Sequence, residues 1–140
     1  MRTTLLFSFI ILMLSGCSSD DNRRSNNPFV VNIGFSIQLG SIAALDLQIP
    51  NNPVYVPNGG VRGIFVINNG SSLLAWEATD PNHSPNECST MVLNGLEVVC
   101  QCDDAHTYNL FTGQASGEVL DYTMVPYRVE QSGDVIVVSN

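Results

Sequence analysis

From residue 31 onward, apolar and polar side chains take turns. Val31, Ile33, Phe35, Ile37 and Leu39 alternate with Asn32, Gly34, Ser36 and Gln38, the two-residue period of a strand with one buried and one wet face. Leu45, Leu47 and Ile49 repeat the pattern around Asp46 and Gln48 and predict a second strand. Pro53, Pro57, Asn58, Gly59 and Gly60 punctuate the connection that follows, because proline and glycine interrupt regular pairing. Gly63 to Ile67 is a continuous apolar run, which suits a more central strand. Asn68-Asn69-Gly70 then makes a turn, and Ser72 to Thr79 is the returning strand. Its Trp76 is expected in the core or supporting a loop, rather than stacking on a ligand. Asn94-Gly95, between Met91-Val92-Leu93 and Leu96-Glu97-Val98-Val99, predicts a hairpin. Ser132-Gly133-Asp134, between Tyr127 to Glu130 and Val135 to Val138, predicts another. No segment carries a helical period. The expectation is an all-β fold, an antiparallel sandwich or small barrel.

The first residues follow a different rule. Arg2 precedes an almost wholly apolar run, Leu5 to Leu14. That is short of the roughly 20 residues a transmembrane helix needs, and suits the apolar core of a secretion signal. Leu14-Ser15-Gly16-Cys17 follows and resembles the lipobox of bacterial lipoproteins, in which the cysteine thiol takes lipid and becomes the new N-terminus. The resemblance implies a signal peptide over residues 1–16 and lipidation at Cys17. Residues 18–27 hold no apolar side chain and cannot bury surface, so 17–27 reads as a lipidated flexible tether. Ser18-Ser19-Asp20-Asp21 also resembles the acidic export signal of some Bacteroidetes lipoproteins, though a plain polar linker explains it nearly as well. The expected location is the outer membrane, on its periplasmic or cell-surface side. Residues 28–140 remain for the domain, enough for a single core.

Charge narrows the partners. The chain has a formal net charge of -8, with 5 basic and 13 acidic residues. None of the basic residues is lysine, and past Cys17 they are Arg23, Arg24, Arg62 and Arg128. Nucleic acid is excluded as the expected partner, because phosphate binding needs clustered Lys and Arg. The expected partners are the membrane, through lipid on Cys17, and an unidentified protein.

Polar chemistry gathers in two loops, Asp80-Pro81-Asn82-His83-Ser84-Pro85-Asn86-Glu87-Cys88 and Cys100-Gln101-Cys102-Asp103-Asp104-Ala105-His106, with the Asn94-Gly95 hairpin between them. Here the chain resembles the Rieske-type iron–sulfur domain, which carries Cys-x-His in one loop and Cys-x-x-His in a second. Cys100-Gln101-Cys102 looks like its Cys-Pro-Cys, and Tyr108 like the aromatic residue of its second loop. Thr112-Gly113 looks like its Thr-Gly turn, one residue later than usual. Pro126 to Glu130 with Gly133-Asp134-Val135 resembles its closing hairpin, and Asn52 to Gly63 resembles Rieske-like lipoproteins of Flavobacteria. The resemblance implies a Rieske-like sandwich with two loops at one end, and a disulfide between the loops' extra cysteines, Cys88 and Cys102. Cys88–Cys100 is the competing pair, and three cysteines beyond Cys17 leave one thiol over.

The same resemblance implies a 2Fe–2S cluster held by two thiolates on one iron and two imidazoles on the other. The residues depart from it. The first-loop cysteine position is Asp80, the histidine two places on is Asn82, and His83 falls one place late. Cys100 is retained, whereas the second-loop histidine is Asp103, or Asp104 if the extra residue sits early. The expectation is therefore no cofactor, in a non-enzymatic lipoprotein whose domain has lost its cluster and acts as a binding or structural module. One alternative is an electron-transfer protein holding 2Fe–2S through unusual ligands. Another is a mononuclear metal module on His83, His106, Asp80, Asp103 and Asp104, a set suited to zinc, copper or iron. The sequence favours plain polar loop residues over such ligands, since loops favour Asp, Asn and His. A zinc site on Cys88, Cys100, Cys102 and His83 is disfavoured by oxidising surroundings. A Cys-His nucleophile pair lacks a recognisable third member.

Overall fold

The computed structural model describes residues 27–30 and 34–140. The expected signal peptide, Cys17, nearly all of the tether, and residues 31–33 of the first predicted strand lie outside the described residues. Asn27 already belongs to the fold: it is buried, its Nδ2 donates to the Pro81 carbonyl at 2.7 Å, and its Oδ1 accepts from the Phe29 and Val30 amides.

The elements in order are β1 (Ser36–Gln38), α1 (Ser41–Asp46), β2 (Val54–Val56), β3 (Ile64–Asn68), β4 (Leu73–Glu77), β5 (Val92–Asn94), β6 (Glu97–Val99), β7 (Thr107–Asn109), β8 (Pro126–Ser132) and β9 (Val135–Ser139). All strand pairings are antiparallel. A six-stranded sheet runs β1-β9-β8-β4-β3-β2, and a three-stranded sheet runs β5-β6-β7. The expected all-β antiparallel class is what the chain adopts.

β3 explains its own composition. Ile64 and Val66 enter one core with Ala75, Tyr127, Ile136 and Val138, whereas Phe65 and Ile67 enter a second with Trp76, Val98, Tyr108 and Leu110. The strand is covered on both faces, so a two-residue alternation would leave polar groups buried, and a continuous apolar run is the sequence that fits. The second core lies between the large sheet and the small one, and it is the floor on which the two polar loops stand.

Three expectations need correction. Leu45, Leu47 and Ile49 do not form a strand. Ser41–Asp46 is helical, with the Ala44 amide on the Gly40 carbonyl and the Leu47 amide on that of Ala43. Ala44 and Leu47 are buried while Leu45 and Ile49 remain 60% and 59% exposed. Three apolar residues at period two are too few to outweigh paired alanines, which favour helix. Second, Val54–Val56, expected within a connection, forms an edge strand on β3, and Thr107–Asn109 pairs with β6. Third, the β5–β6 hairpin pairs Asn94 with Glu97. Its turn is thus Gly95-Leu96, and Gly95 has φ 65°, as the first central position of a II′ turn requires.

Candidate functional site

Loop one leaves β4 and loop two leaves β6, so each begins where an inward-facing strand register ends. The exit of β4 is set by Glu77, a fully buried carboxylate. It accepts from the amides of Val61 (2.7 Å), Arg62 (3.0 Å) and Thr79 (2.9 Å) and from the Tyr127 hydroxyl. Burial, and then the Glu77 charge, push the Tyr127 hydroxyl well above the ordinary tyrosine range. Thr79 is held against Thr90, and Asp80 donates its amide to the Ser89 carbonyl at 2.8 Å, which closes loop one at its base. The sequence pattern does not single out Glu77. The signal it does carry is register: Leu73, Ala75 and Glu77 share one face of β4, so an acid there points into the core.

Loop two is closed by the Cys100 amide on the His106 carbonyl (2.8 Å) and the Ala105 amide on the Cys102 carbonyl (2.9 Å). The loops are joined by a Cys88–Cys102 disulfide and by the Gln101 amide on the Cys88 carbonyl at 3.0 Å. Of the two pairings left open by the sequence, the structure adopts Cys88–Cys102 and leaves Cys100 a buried free thiol. Burial pushes the Cys100 thiol up to about 12. A hydrogen bond from the Cys102 backbone opposes this, and the neighbouring Asp80 and Asp104 carboxylates add to it. Such a thiol is a poor nucleophile. With two sulfurs bridged, the four-ligand set of Cys88, Cys100, Cys102 and His83 keeps only one free thiol.

Asp80, which the sequence resemblance sets at the first cluster-cysteine position, is fully buried yet fully partnered. Its Oδ1 accepts from the Tyr108 hydroxyl at 2.6 Å and the Asn82 amide at 2.8 Å, and its Oδ2 lies 3.0 Å from His106 Nδ1. Burial, followed by the hydrogen bond to Asp80, raises the Tyr108 hydroxyl far above its ordinary value, so it acts as a donor. Asn82, at the first histidine position, is used as a brace. Its Nδ2 donates to the Tyr108 hydroxyl (2.9 Å) and the Tyr122 carbonyl (2.8 Å), and its Oδ1 accepts from the Tyr122 amide. Trp76 supports the loop end as expected, with Nε1 donating to the Leu110 carbonyl at 2.8 Å.

At the rim, His83 Nε2 and His106 Nε2 both meet Asp104 Oδ2, the latter at 3.3 Å, and the two imidazole rings lie 5.6 Å apart. Asp104 is exposed. Partial desolvation raises its carboxyl, but the His83 hydrogen bond and the two imidazoles outweigh it, leaving the group below the usual carboxylate range. The fold thus gathers Asp80, His83, Asp104 and His106, with their ligand atoms all within 4.8 Å of one another. It leaves Asp103 exposed and outside the group.

Comparison with known proteins places this architecture. No protein-family model matches the chain, and no curated protein matches it in sequence. Among solved structures, a chain from the complex of reduced oxygenase and oxidized ferredoxin in carbazole 1,9a-dioxygenase matches 74% of this chain over 93% of its own, with 24% identity and a TM-score of 0.50. The apo form of the quaternary ammonium Rieske monooxygenase CntA matches 75% of this chain over 32% of its own, with 18% identity and a TM-score of 0.51. At such identities the likeness is one of fold, and this chain spans about a third of the length of the monooxygenase.

Proposed function

With a Rieske-type fold as premise, we propose that this protein is an exported lipoprotein, held on a membrane by lipid at Cys17, whose domain carries no 2Fe–2S cluster. It serves as a non-enzymatic module that presents its braced loop end to a partner. The observation that carries the reading is the environment of Asp80. A Rieske cluster needs two thiolates and two imidazoles, and the corresponding places hold Asp80, Asn82, Cys100 and Asp103 or Asp104. Carboxylates are harder ligands than thiolates and disfavour iron–sulfide. Asp80 and Asn82 are moreover committed to Tyr108 and Tyr122, and the disulfide withholds Cys88 and Cys102. The residues present do not fit the cluster.

The same network supplies what a cluster would otherwise supply, a rigid link between the loops. An acidic chain without lysine argues for a protein partner and against nucleic acid. The test is elemental and spectroscopic. Purified protein is expected to be colourless, to release no acid-labile sulfide, and to show no Rieske-type paramagnetic resonance on reduction. A stoichiometric pair of irons with sulfide would overturn the reading in favour of electron transfer through unusual ligands.

A further inference from the structure

We infer that Asp80, His83, Asp104 and His106 form a mononuclear site for a divalent transition-metal ion, of which zinc is the natural probe. The inference rests on the cluster-free reading and names a ligand for the same loop end.

Two observations carry it. The first is donor geometry. Each loop contributes one imidazole and one carboxylate, and the four ligand atoms lie within 4.8 Å of one another. A tetrahedral zinc site with N and O ligands at about 2.0–2.1 Å has ligand–ligand edges of about 3.3 Å. The approaches of His106 to Asp80, 3.0 Å at Nδ1, and to Asp104, 3.3 Å at Nε2, are each of that size, and the ring offers an ion one of the two. Two imidazoles and two carboxylates suit zinc or ferrous iron better than soft copper(I).

The second is an imidazole flanked by two carboxylates. His106 faces a carboxylate oxygen at each ring nitrogen, Asp80 Oδ2 at Nδ1 and Asp104 Oδ2 at Nε2. An imidazole nitrogen can meet a carboxylate as an N–H donor or, with its lone pair, share a metal ion with it. Among the described residues, the ion pairs of Asp80 and Asp104 are all with imidazole, and no arginine reaches them. A cation held by one ring nitrogen and the two carboxylates would neutralise the acidic groups that meet here.

The surroundings suit a held ion. The buried oxygen Oδ1 of Asp80 is fixed by Tyr108 and the Asn82 amide, which leaves Oδ2 to face the site. Outer partners of this kind orient ligands and tune affinity. The Cys88–Cys102 bridge fixes the separation of the two ligand pairs. His83 and Asp104 reach solvent and would form the entrance, while Asp80 forms the floor.

Zinc alone, titrated calorimetrically into purified, metal-stripped full-length protein, tests the site. One equivalent should bind, and the thermal midpoint should rise with zinc concentration, as a ligand of the native state requires. His83→Ala and Asp104→Asn, both at the solvent edge, should keep the metal-free midpoint. Each should weaken binding by more than the roughly 10–100-fold that losing an outer partner costs. Asp103→Asn, the adjacent acid outside the group, should bind as the parent does. Absence of saturable binding, equal binding by His83→Ala, or an equal loss in Asp103→Asn overturns the site and leaves the cluster-free reading standing. Iron with sulfide in the protein as purified overturns both.

Discussion

Single side chains decide where the loops can go, and Glu77 shows how. Each of its oxygens accepts two donors: Oε2 those of Val61 and Tyr127, Oε1 those of Arg62 and Thr79. No neutral side chain of the same shape can do this. In Glu77→Gln one side of the amide becomes a donor facing two donors, and in Glu77→Ala four donors, two of them buried, lose their acceptor. Leaving buried partners of a charge unsatisfied costs on the order of 3 kcal/mol or more, so both variants are expected to unfold at clearly lower denaturant concentration than the parent. A Glu77→Gln midpoint within experimental error of the parent would show that the carboxylate charge is unimportant. Because Thr79 leads directly to Asp80, the milder variant should also weaken the ordering of loop one, read as faster amide exchange at Asp80 and Asn82. Glycine plays a comparable part at one place. Gly113 has φ 71°, and a Cβ there would lie 2.6 Å from the Trp76 ring, so the Thr112-Gly113 turn and the indole that supports it admit no larger residue.

Among the elements, the loops are more tightly organised than the strands that carry them. β5, β6 and β7 are three residues each, too short to stand alone. They are held by the apolar floor they share with β3 and β4 and by the disulfide above. The bridge closes a separation of 14 residues, worth about 3 kcal/mol in the chain-entropy account. The double variant Cys88→Ser/Cys102→Ser should fall by about that amount in unfolding free energy. Peptide mapping of unreduced protein should place the bridge at Cys88–Cys102 and the one free thiol of the folded domain at Cys100. With its thiol pushed up to about 12, only roughly one Cys100 in ten thousand is thiolate at pH 8. Reaction with iodoacetamide should therefore be slow in the native protein, quicken as pH rises, and become fast on unfolding. Rapid labelling of native protein at pH 8 would contradict the buried placement.

At the scale of the whole molecule, two cores share β3 and β4 as a common wall. One core lies under the outer strands and α1, and the other lies under the loop end. The N-terminal segment returns to the loop end, since Asn27 is hydrogen-bonded to Pro81 and Phe29 packs edge-on against Tyr122. A lipid at Cys17 would thus tether the domain from the side that carries the candidate site. The residues between would span at most about 35 Å fully extended. Cys17→Ala is expected to remove the acyl mass from the N-terminal peptide and to release the protein from the membrane fraction. A mature terminus elsewhere, with no acylation at Cys17, would refute the anchor and with it this geometry.

Local patterning determined the class of the fold. Alternation marked β1, the Ser132-Gly133-Asp134 turn marked the closing hairpin, and a run without alternation marked the doubly covered β3, because side-chain period follows directly from backbone geometry. The resemblance of the second loop and closing hairpin to Rieske domains pointed to the observed fold, and the identities of Asp80, Asn82 and Asp103 alone argue against the cluster. What remained illegible depends on neighbours distant in sequence. Helix α1 and the residues just after it carry three apolar side chains at strand spacing, yet the segment is helical because Ala44 and Leu47 are the residues the core takes in. β2 and β7 are too short to declare themselves and exist because β3 and β6 offer them hydrogen bonds. Glu77 reads as one acid among many until its register and its four donors are assembled. Asp103 and Asp104 are adjacent and chemically equal, so no pattern could rank them. Tertiary structure turns one toward His83 and His106 and the other to water, and it sets Asp80 beneath them, because the direction of a loop side chain is decided by the packing of the elements that flank it.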